Sequence, residues 1–438
     1  MLDGLDVFEC SEVGDSVVEY LSRREPVSSK QVSTWLRTPP KLTVVRVNTW
    51  KTTLSAVQCR IEDHLQKTGQ KCSVSRFGDS NEVLLLQCSE ENKGQIEPGE
   101  EEVVVDQQCG LAVLRGADLF TPGILTLSYA AQKSSQVSVW ADLEHKCTQG
   151  SSKKYDGKKV FVGNGILQVS RDEVFKENQR GIGVLINQRV FNCPSLDESK
   201  FNGEIYLQNL PSILAVELLN PEPGERILDM CAAPGGKTLH IATRMKDSGE
   251  IIAFDKSLKK INQILMNAEK HGFSNIKAFV QNGIQSIKDA TSRKEELNEN
   301  ENLKLELDPS ESPPYHPETF DRVLLDAPCS ALGQRPQFFN KIRLKEFKSF
   351  SKVQKKLVSS AVSHLKPGGV LVYSTCTLAQ EENEGLVEWA EQTFSQIKPV
   401  IIDLENNKNY LRFGHPNNDQ PVHNDTIGFF IAKFMKIL

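Results

Sequence analysis

The 438-residue sequence has no run of apolar residues approaching the about 20 needed to span a bilayer, so a helical membrane protein is not expected. Its ten cysteines include no C-x-x-C pair and follow no regular spacing, which argues against a disulfide framework and a zinc site and fits a reducing compartment. The eight histidines form no H-x-x-x-H or similar ligand pair, so no metal is expected. G-x-G-x-x-G is absent, which excludes the dinucleotide fingerprint, and "CAAPGGKT" lacks the four-residue spacer of a Walker loop. The opening "MLDGLDVFECSEVGDSVVEY" has neither a basic start nor an apolar core, so it is read as neither secretory signal nor transit peptide, and a cytoplasmic location is expected.

Net charge is small, at −5, but unevenly spread. Residues 286–319 hold nine acids and four bases and so carry all of it. Residues 341–366 hold eight bases and one acid, and residues 151–190 eight bases and four acids. Two basic zones on a neutral body can bind phosphates without a high overall pI.

Length favours two or three domains. "SSKQVSTWL" reads as a serine-capped helix stopped by "RTPP", and "KLTVVRVNTW" and "SNEVLLLQC" read as strands. "SEENKGQIEPGEEE" reads as a linker. Residues 103–192 read as short strands separated by glycine turns, a small compact sheet. From about residue 204, strand-length runs ("ERILDM", "GEIIAF", "NIKAFV", "DRVLL", "GGVLVYS") are separated by amphipathic stretches such as "KSLKKINQILMNAEKHG". That rhythm predicts an α/β fold with a doubly wound, mainly parallel sheet, closed by a last strand in "DTIGFFIAKFMKIL". The tract 286–319 breaks the rhythm and reads as a surface loop, partly disordered.

Three loops after predicted strands carry chemistry. In "RILDMCAAPGGKT", Gly235 and Gly236 allow a close backbone approach at a helix start, which favours a carboxylate or phosphate. Asp255 ends the next strand, where an acid commonly grips ribose hydroxyls. Together they suggest an adenosine-containing cofactor. "DAPCSALGQRP" and "STCT" place Cys329 and Cys376 behind "DRVLL" and "GGVLVYS". Neighbouring parallel strands would bring both thiols to one sheet edge, with Asp326 three residues before Cys329. Either cysteine alone would be read as a small buried hydrophobe.

"LDMCAAPGGKT", "DAPCS" and "STCT" in this order resemble the Nop2/Sun (Fmu-like) family of RNA cytosine-5 methyltransferases. The resemblance covers "VVRVNTW" and then residue 204 to the C-terminus. It implies a Rossmann-like methyltransferase domain with an N-terminal α+β subdomain. The cofactor would be S-adenosyl-L-methionine, held by Cys231, Ala232, Ala233, Pro234, Gly235, Gly236 and Lys237, with Asp255 on the ribose. Asn282 stands where the family usually has an aspartate near the adenine, and Asp326 also belongs to the site. Cys376 would be the nucleophile that adds to cytosine carbon 6, Cys329 would serve product release, and Asp326 would contact the ring nitrogen. Residue order alone leaves the two cysteines interchangeable. Where the family has glycine after "DAPCS", this chain has Ala331.

"CGLAVLRGADLFTPGI" resembles the opening of a PUA domain, a small RNA-binding module. The expected organisation is residues 1–102 as the first part of the N-terminal subdomain and 103–192 as the PUA-like insertion. Residues 193–438 would complete the subdomain and form the catalytic domain. This is similar to the tRNA-acting branch of the family with an internal PUA domain. It implies the CCA end of tRNA as partner, methylation at the 3′-side cytosine of the first acceptor-stem pair, and messenger RNA hairpins as further targets. Arg115, Lys158, Lys159 and Arg335 are the candidate RNA-backbone contacts, and "KIRLKEFKSFSKVQKK" is a further basic stretch. The competing readings are a catalytically weak RNA-binding scaffold and an amino-group methyltransferase. The latter lacks its [DN]-P-P-[FYW] motif here.

Overall fold

The computed structural model describes residues 28–89, 96–151, 153–177, 179–288, 312–338, 342, 344–414, 416 and 425–437. The N-terminal 27 residues and positions 289–311 of the acidic tract lie outside the described residues.

Helix α1 (Ser29–Arg37) begins where the sequence placed it. Ser28 and Gln31 form a reciprocal capping box that satisfies the first orphan amides. Strand β1 (Leu42–Val47), helix α2 (Leu54–Lys67), strand β2 (Cys72–Arg76) and strand β3 (Val83–Cys88) follow. Strand β2 was not anticipated: it is a polar, largely uncovered edge with no apolar alternation to betray it. Its Cys72 lies in register with Cys88 on β3, and the two form a disulfide, a pairing that scattered spacing did not reveal.

The chain then leaves this sheet and builds a second one. Its elements are β4 (Glu102–Val105), α3 (Gln107–Leu114), β5 (Leu119–Phe120), β6 (Ile124–Leu127), β7 (Gln136–Asp142), β8 (Lys159–Leu167), α4 (Arg171–Phe175) and β9 (Ile182–Arg189). They form a six-stranded sheet in the order β5-β9-β8-β7-β4-β6. The stretch "QQCGLAVL", within the region read as strands and turns, is helical. Asp106 accepts a hydrogen bond from Cys109 N–H at 2.7 Å and caps it. The insertion also starts earlier than its first strand. Ser138 Oγ accepts from Gly99 N–H at 2.6 Å and Asn164 Nδ2 donates to Glu97 O at 2.9 Å, so the end of the expected linker belongs to this module.

Strand β10 (Ile205–Leu207) returns to pair antiparallel with β1, giving the order β10-β1-β3-β2. The six-stranded module is therefore an insertion in the N-terminal subdomain.

The remainder is the doubly wound layer. Helix α5 (Leu210–Leu219) leads into β11 (Arg226–Asp229), α6 (Gly236–Arg244), β12 (Glu250–Asp255), α7 (Leu258–His271), β13 (Ile276–Val280) and β14 (Phe320–Asp326). After these come α8 (Leu344–His364), β15 (Leu365–Thr375), α9 (Glu384–Thr393), β16 (Ile397–Pro399), β17 (Tyr410–Phe413) and β18 (Phe429–Lys436). The order is β13-β12-β11-β14-β15-β18-β16, parallel from β13 to β15 and antiparallel at β18, with β17 also paired to β18.

Alternation along each strand feeds two cores. Leu228, Ile252, Val323, Leu325, Leu371 and Tyr373 face α8 and α9. Ile227, Ile251, Ala253, Leu324 and Val372 face α5, α6 and α7. Strands covered on both faces read as continuous apolar runs, which is why the sequence showed them so plainly. Each fully buried Leu or Ile contributes about 2 kcal/mol of transfer free energy, so these two layers hold the strand ends rigidly in place.

Candidate active site

Five loops leave the C-terminal ends of β11, β12, β13, β14 and β15. Parallel pairing sets Asp229 beside Leu324 and Asp326 beside Ser374. Cys231, Lys237, Asp255, Asn282, Asp326, Cys329 and Cys376 are all half-buried, which suits groups that must meet a ligand.

The first loop is stitched to its neighbours. Met230 N–H donates to Leu324 O at 3.0 Å, Ala232 N–H to Phe254 O at 2.9 Å, and Gly235 N–H to Ala232 O at 2.8 Å. The two glycines have different jobs. Gly235 sits at φ +104°, a left-handed conformation that side chains resist. A Cβ on Gly236 would lie 2.9 Å from the Tyr206 ring, so that glycine serves packing against the N-terminal subdomain. Asp229 is fully buried and accepts from Thr238 Oγ1 at 2.8 Å; burial pushes its carboxyl up to about 7.

Asp255 Oδ1 accepts from Ser257 N–H at 2.9 Å, and its Oδ2 pairs with the exposed Lys260 at 3.6 Å. Asn282 caps a short 3-10 turn, accepting from Ile284 N–H at 3.3 Å. An aspartate would make the same bond, so the amide keeps the local fold. A left-handed glycine loop at a helix start, with a strand-end acid on the next strand, fits an adenosine cofactor with a charged tail.

At the second edge, Cys329 Sγ and Cys376 Sγ lie 3.3 Å apart. Their contact shifts the two groups in opposite directions: the bond to Cys329 lowers Cys376 from the usual thiol range, while Cys329, bound to Cys376 and shielded from solvent, is raised well above it. The Gln334 side chain and the Lys237 ammonium also favour a Cys376 thiolate. Asp326 is held at both oxygens: Lys237 Nζ bonds Oδ2 at 2.7 Å and Ser374 Oγ bonds Oδ1 at 2.6 Å. The lysine read as part of the cofactor loop thus orients Asp326. Ser374 was missed because a serine ending an apolar strand carries no signal of its own.

The candidate RNA contacts do not gather at this edge. Arg335 is a correction: it is 4% exposed and belongs to the fold. Its guanidinium donates to Thr38 O, Pro39 O and Thr426 O, pairs with Asp425, and lies over the Trp35 ring at 4.8 Å. Lys159, with a side chain 15% exposed, is bound to Glu102 and lies over the Trp140 ring, so it braces the inserted sheet. Arg115 and Lys158 are exposed on the same module, Arg115 at the C-terminal cap of α3. On α8, Lys348, Lys352 and Lys356 are exposed at four-residue spacing, which makes one basic stripe.

Among the described residues no group of three or more metal-ligating side chains occurs, and no helix is long and apolar enough to cross a membrane.

Comparison with known proteins agrees with this geometry. The profile of the family described as 16S rRNA methyltransferase RsmB/F matches residues 216–435. The tRNA (cytosine(72)-C(5))-methyltransferase NSUN6 of Homo sapiens is 40% identical over 434 residues, covering 91% of this chain and 89% of its own length. The tRNA (cytosine(72)-C(5))-methyltransferase of Pyrococcus horikoshii is 30% identical over 409 residues, covering 92% of this chain and 91% of its own. The crystal structure of NSun6 from Pyrococcus horikoshii with SFG superposes with a TM-score of 0.71 at 28% identity, covering 97% of both chains. With the doubly wound sheet, the glycine loop and the paired thiols, these similarities show that the chain belongs to the RsmB/F (Nop2/Sun) family of RNA cytosine-5 methyltransferases.

Proposed function

We propose that the protein is an S-adenosyl-L-methionine-dependent tRNA (cytosine-5) methyltransferase whose target is the 3′-side cytosine of the first acceptor-stem pair. The observation that carries this is the pair of sulfurs 3.3 Å apart beside Asp326, at the edge where the glycine loop opens. The relatives named for cytosine 72 of tRNA support the position. The insertion is read as a PUA module holding the CCA end, with Arg115 and Lys158 as backbone contacts. Messenger RNA hairpins with a similar end would be further targets.

Carbon 5 of cytosine is a poor nucleophile until a thiolate adds to carbon 6. Cys376 makes that S–C6 bond, and Asp326 engages ring nitrogen 3 as charge builds there. Bound S-adenosyl-L-methionine supplies an electrophilic methyl group. The loop Cys231–Lys237 and Asp255 would hold it, with Asn282 near the adenine. Loss of the carbon-5 proton then breaks the S–C6 bond, and Cys329 is assigned to this release. The lowered Cys376 thiol and the raised Cys329 thiol support this division. The target cytosine must be unpaired or flipped out to reach the thiols.

The test uses tritiated methyl donor, unfractionated tRNA, and wild type beside Cys376→Ala and Cys329→Ala. Cys376→Ala is expected to abolish both transfer and gel-stable protein–RNA adducts, and Cys329→Ala to accumulate adducts. Wild type that binds RNA but transfers no methyl would make the chain an RNA-binding scaffold.

A further inference from the structure

The run "QEENE" after Cys376 has no part in the mechanism above, yet two of its residues are almost completely buried. Glu382 is 0% exposed and Asn383 1%. An ionisable carboxyl is costly to bury unless its hydrogen bonds justify the position.

Those bonds go to the residues that flank the two thiols. Glu382 Oε2 accepts from Ser330 N–H at 3.0 Å and from Gln354 Nε2 at 2.8 Å. Gln354 Nε2 also donates to Pro328 O at 3.0 Å, so the residues before and after Cys329 hang from one carboxylate–amide pair. Asn383 does the same for Cys376. Its Oδ1 accepts from Thr375 Oγ1 at 2.6 Å and its Nδ2 donates to Thr377 O at 3.0 Å. Ser330 Oγ and Thr377 Oγ1, 2.8 Å apart, join the two loops directly. Tyr373 OH donates to Glu382 O at 2.7 Å and ties the dipeptide to β15.

We infer that Glu382 and Asn383 are positioning residues that set the spacing of the two thiols, Glu382 through the Cys329 loop and Asn383 through the Cys376 loop. The inference rests on the two-thiol reading above. Its physical basis is that buried hydrogen bonds on both sides of a reactive residue fix its backbone, and misplacement by about 1 Å can cost roughly 10²-fold in rate.

Two readouts test it in the full-length protein. The first is diamide oxidation of Cys329 and Cys376 to a disulfide, in which the thiols lose two electrons and two protons to the diazene. It reports their juxtaposition without RNA or methyl donor. Glu382→Ala and Asn383→Asp are expected to slow it roughly tenfold or more, whereas Glu382→Gln, which keeps an acceptor oxygen, stays near wild type. The second is methyl transfer to unfractionated tRNA. There Glu382→Ala lowers kcat at unchanged KM and accumulates adducts as Cys329→Ala does, while Asn383→Asp lowers adduct formation and transfer together. Isosteric Asn383→Asp carries the test if Glu382→Ala does not fold. Diamide rates within about twofold of wild type in both variants, or equal slowing in Glu382→Gln and Glu382→Ala, would overturn the inference. Wild type that forms the disulfide as expected but transfers no methyl would instead sink the proposed function and leave the positioning role intact.

Discussion

Cys329 and Cys376, 47 residues apart in the chain, meet sulfur to sulfur at 3.3 Å because β14 and β15 pair in parallel and release their loops side by side. The hydrogen bond lowers one thiol by raising the other. Iodoacetamide is therefore expected to alkylate Cys376 at lower pH than Cys329. In Cys329→Ala the first cause of the lowering is gone while burial remains, so the pH profile of Cys376 alkylation moves upward. Peptide mass spectrometry across a pH series checks both, and identical profiles for the two thiols would contradict the asymmetry.

Arg335 is a stability residue. Removing one partner of a buried ion pair costs about 3–5 kcal/mol, so Arg335→Ala should unfold at much lower urea. Affinity of the folded fraction for tRNA at fixed salt should stay unchanged. A loss of affinity at unchanged stability would return the residue to the RNA surface.

Ala331 stands where the family has glycine, and the structure gives the reason for that preference: its φ is +55°. A left-handed side-chain residue costs about 1–2 kcal/mol, partly offset by the greater freedom of glycine in the unfolded chain. Ala331→Gly should raise stability by about 0.5–1 kcal/mol, seen as a later thermal midpoint. A lower midpoint would mean that packing of the methyl outweighs the backbone.

His364 is fully buried, with Nε2 2.8 Å from Ser286 Oγ, and burial pushes it down from 6.5 to about 3. Below pH 6.5 the unfolded chain takes up this proton and the folded chain does not. Stability is thus complete above 6.5 and lost as pH falls toward 3, by up to about 1.4 kcal/mol per pH unit. His271, pushed down to about 4, adds a loss of the same sign. Urea titrations of wild type and His364→Gln should diverge on acidification, the variant falling less steeply.

The stripe Lys348, Lys352 and Lys356 offers a way to weigh the basic zones. If it contacts phosphates, substituting all three by alanine should lower the slope of log affinity against log salt by about 1 per lysine. Binding isotherms over a salt series measure this, and an unchanged slope would leave the stripe a solvated face.

The two-sided strands β11, β12, β14 and β15 were legible because burial on both faces makes a strand apolar throughout, and the glycine loop, Asp255 and both cysteine loops lie at their C-terminal ends. "QQCGLAVL" was misread because a short apolar run with glycine has no decisive period; Asp106 and the sheet beneath it select the helix. Edge strand β2 and the Cys72–Cys88 pairing were invisible because they depend on a register set by β3.

By itself the sequence determined the residue types, their order and the strand ends that carry them: Asp326 with Cys329, Cys376 on the following strand, and the glycine loop before both. Local composition suffices for that, since apolar runs and turn residues are local properties. Only the tertiary structure decided that Arg335 is spent on Asp425 and the 38–39 backbone, that Lys237 and Ser374 hold Asp326, and that the two thiols touch and shift in opposite directions. Those outcomes depend on burial and on partners distant in the chain, and only folding brings them together.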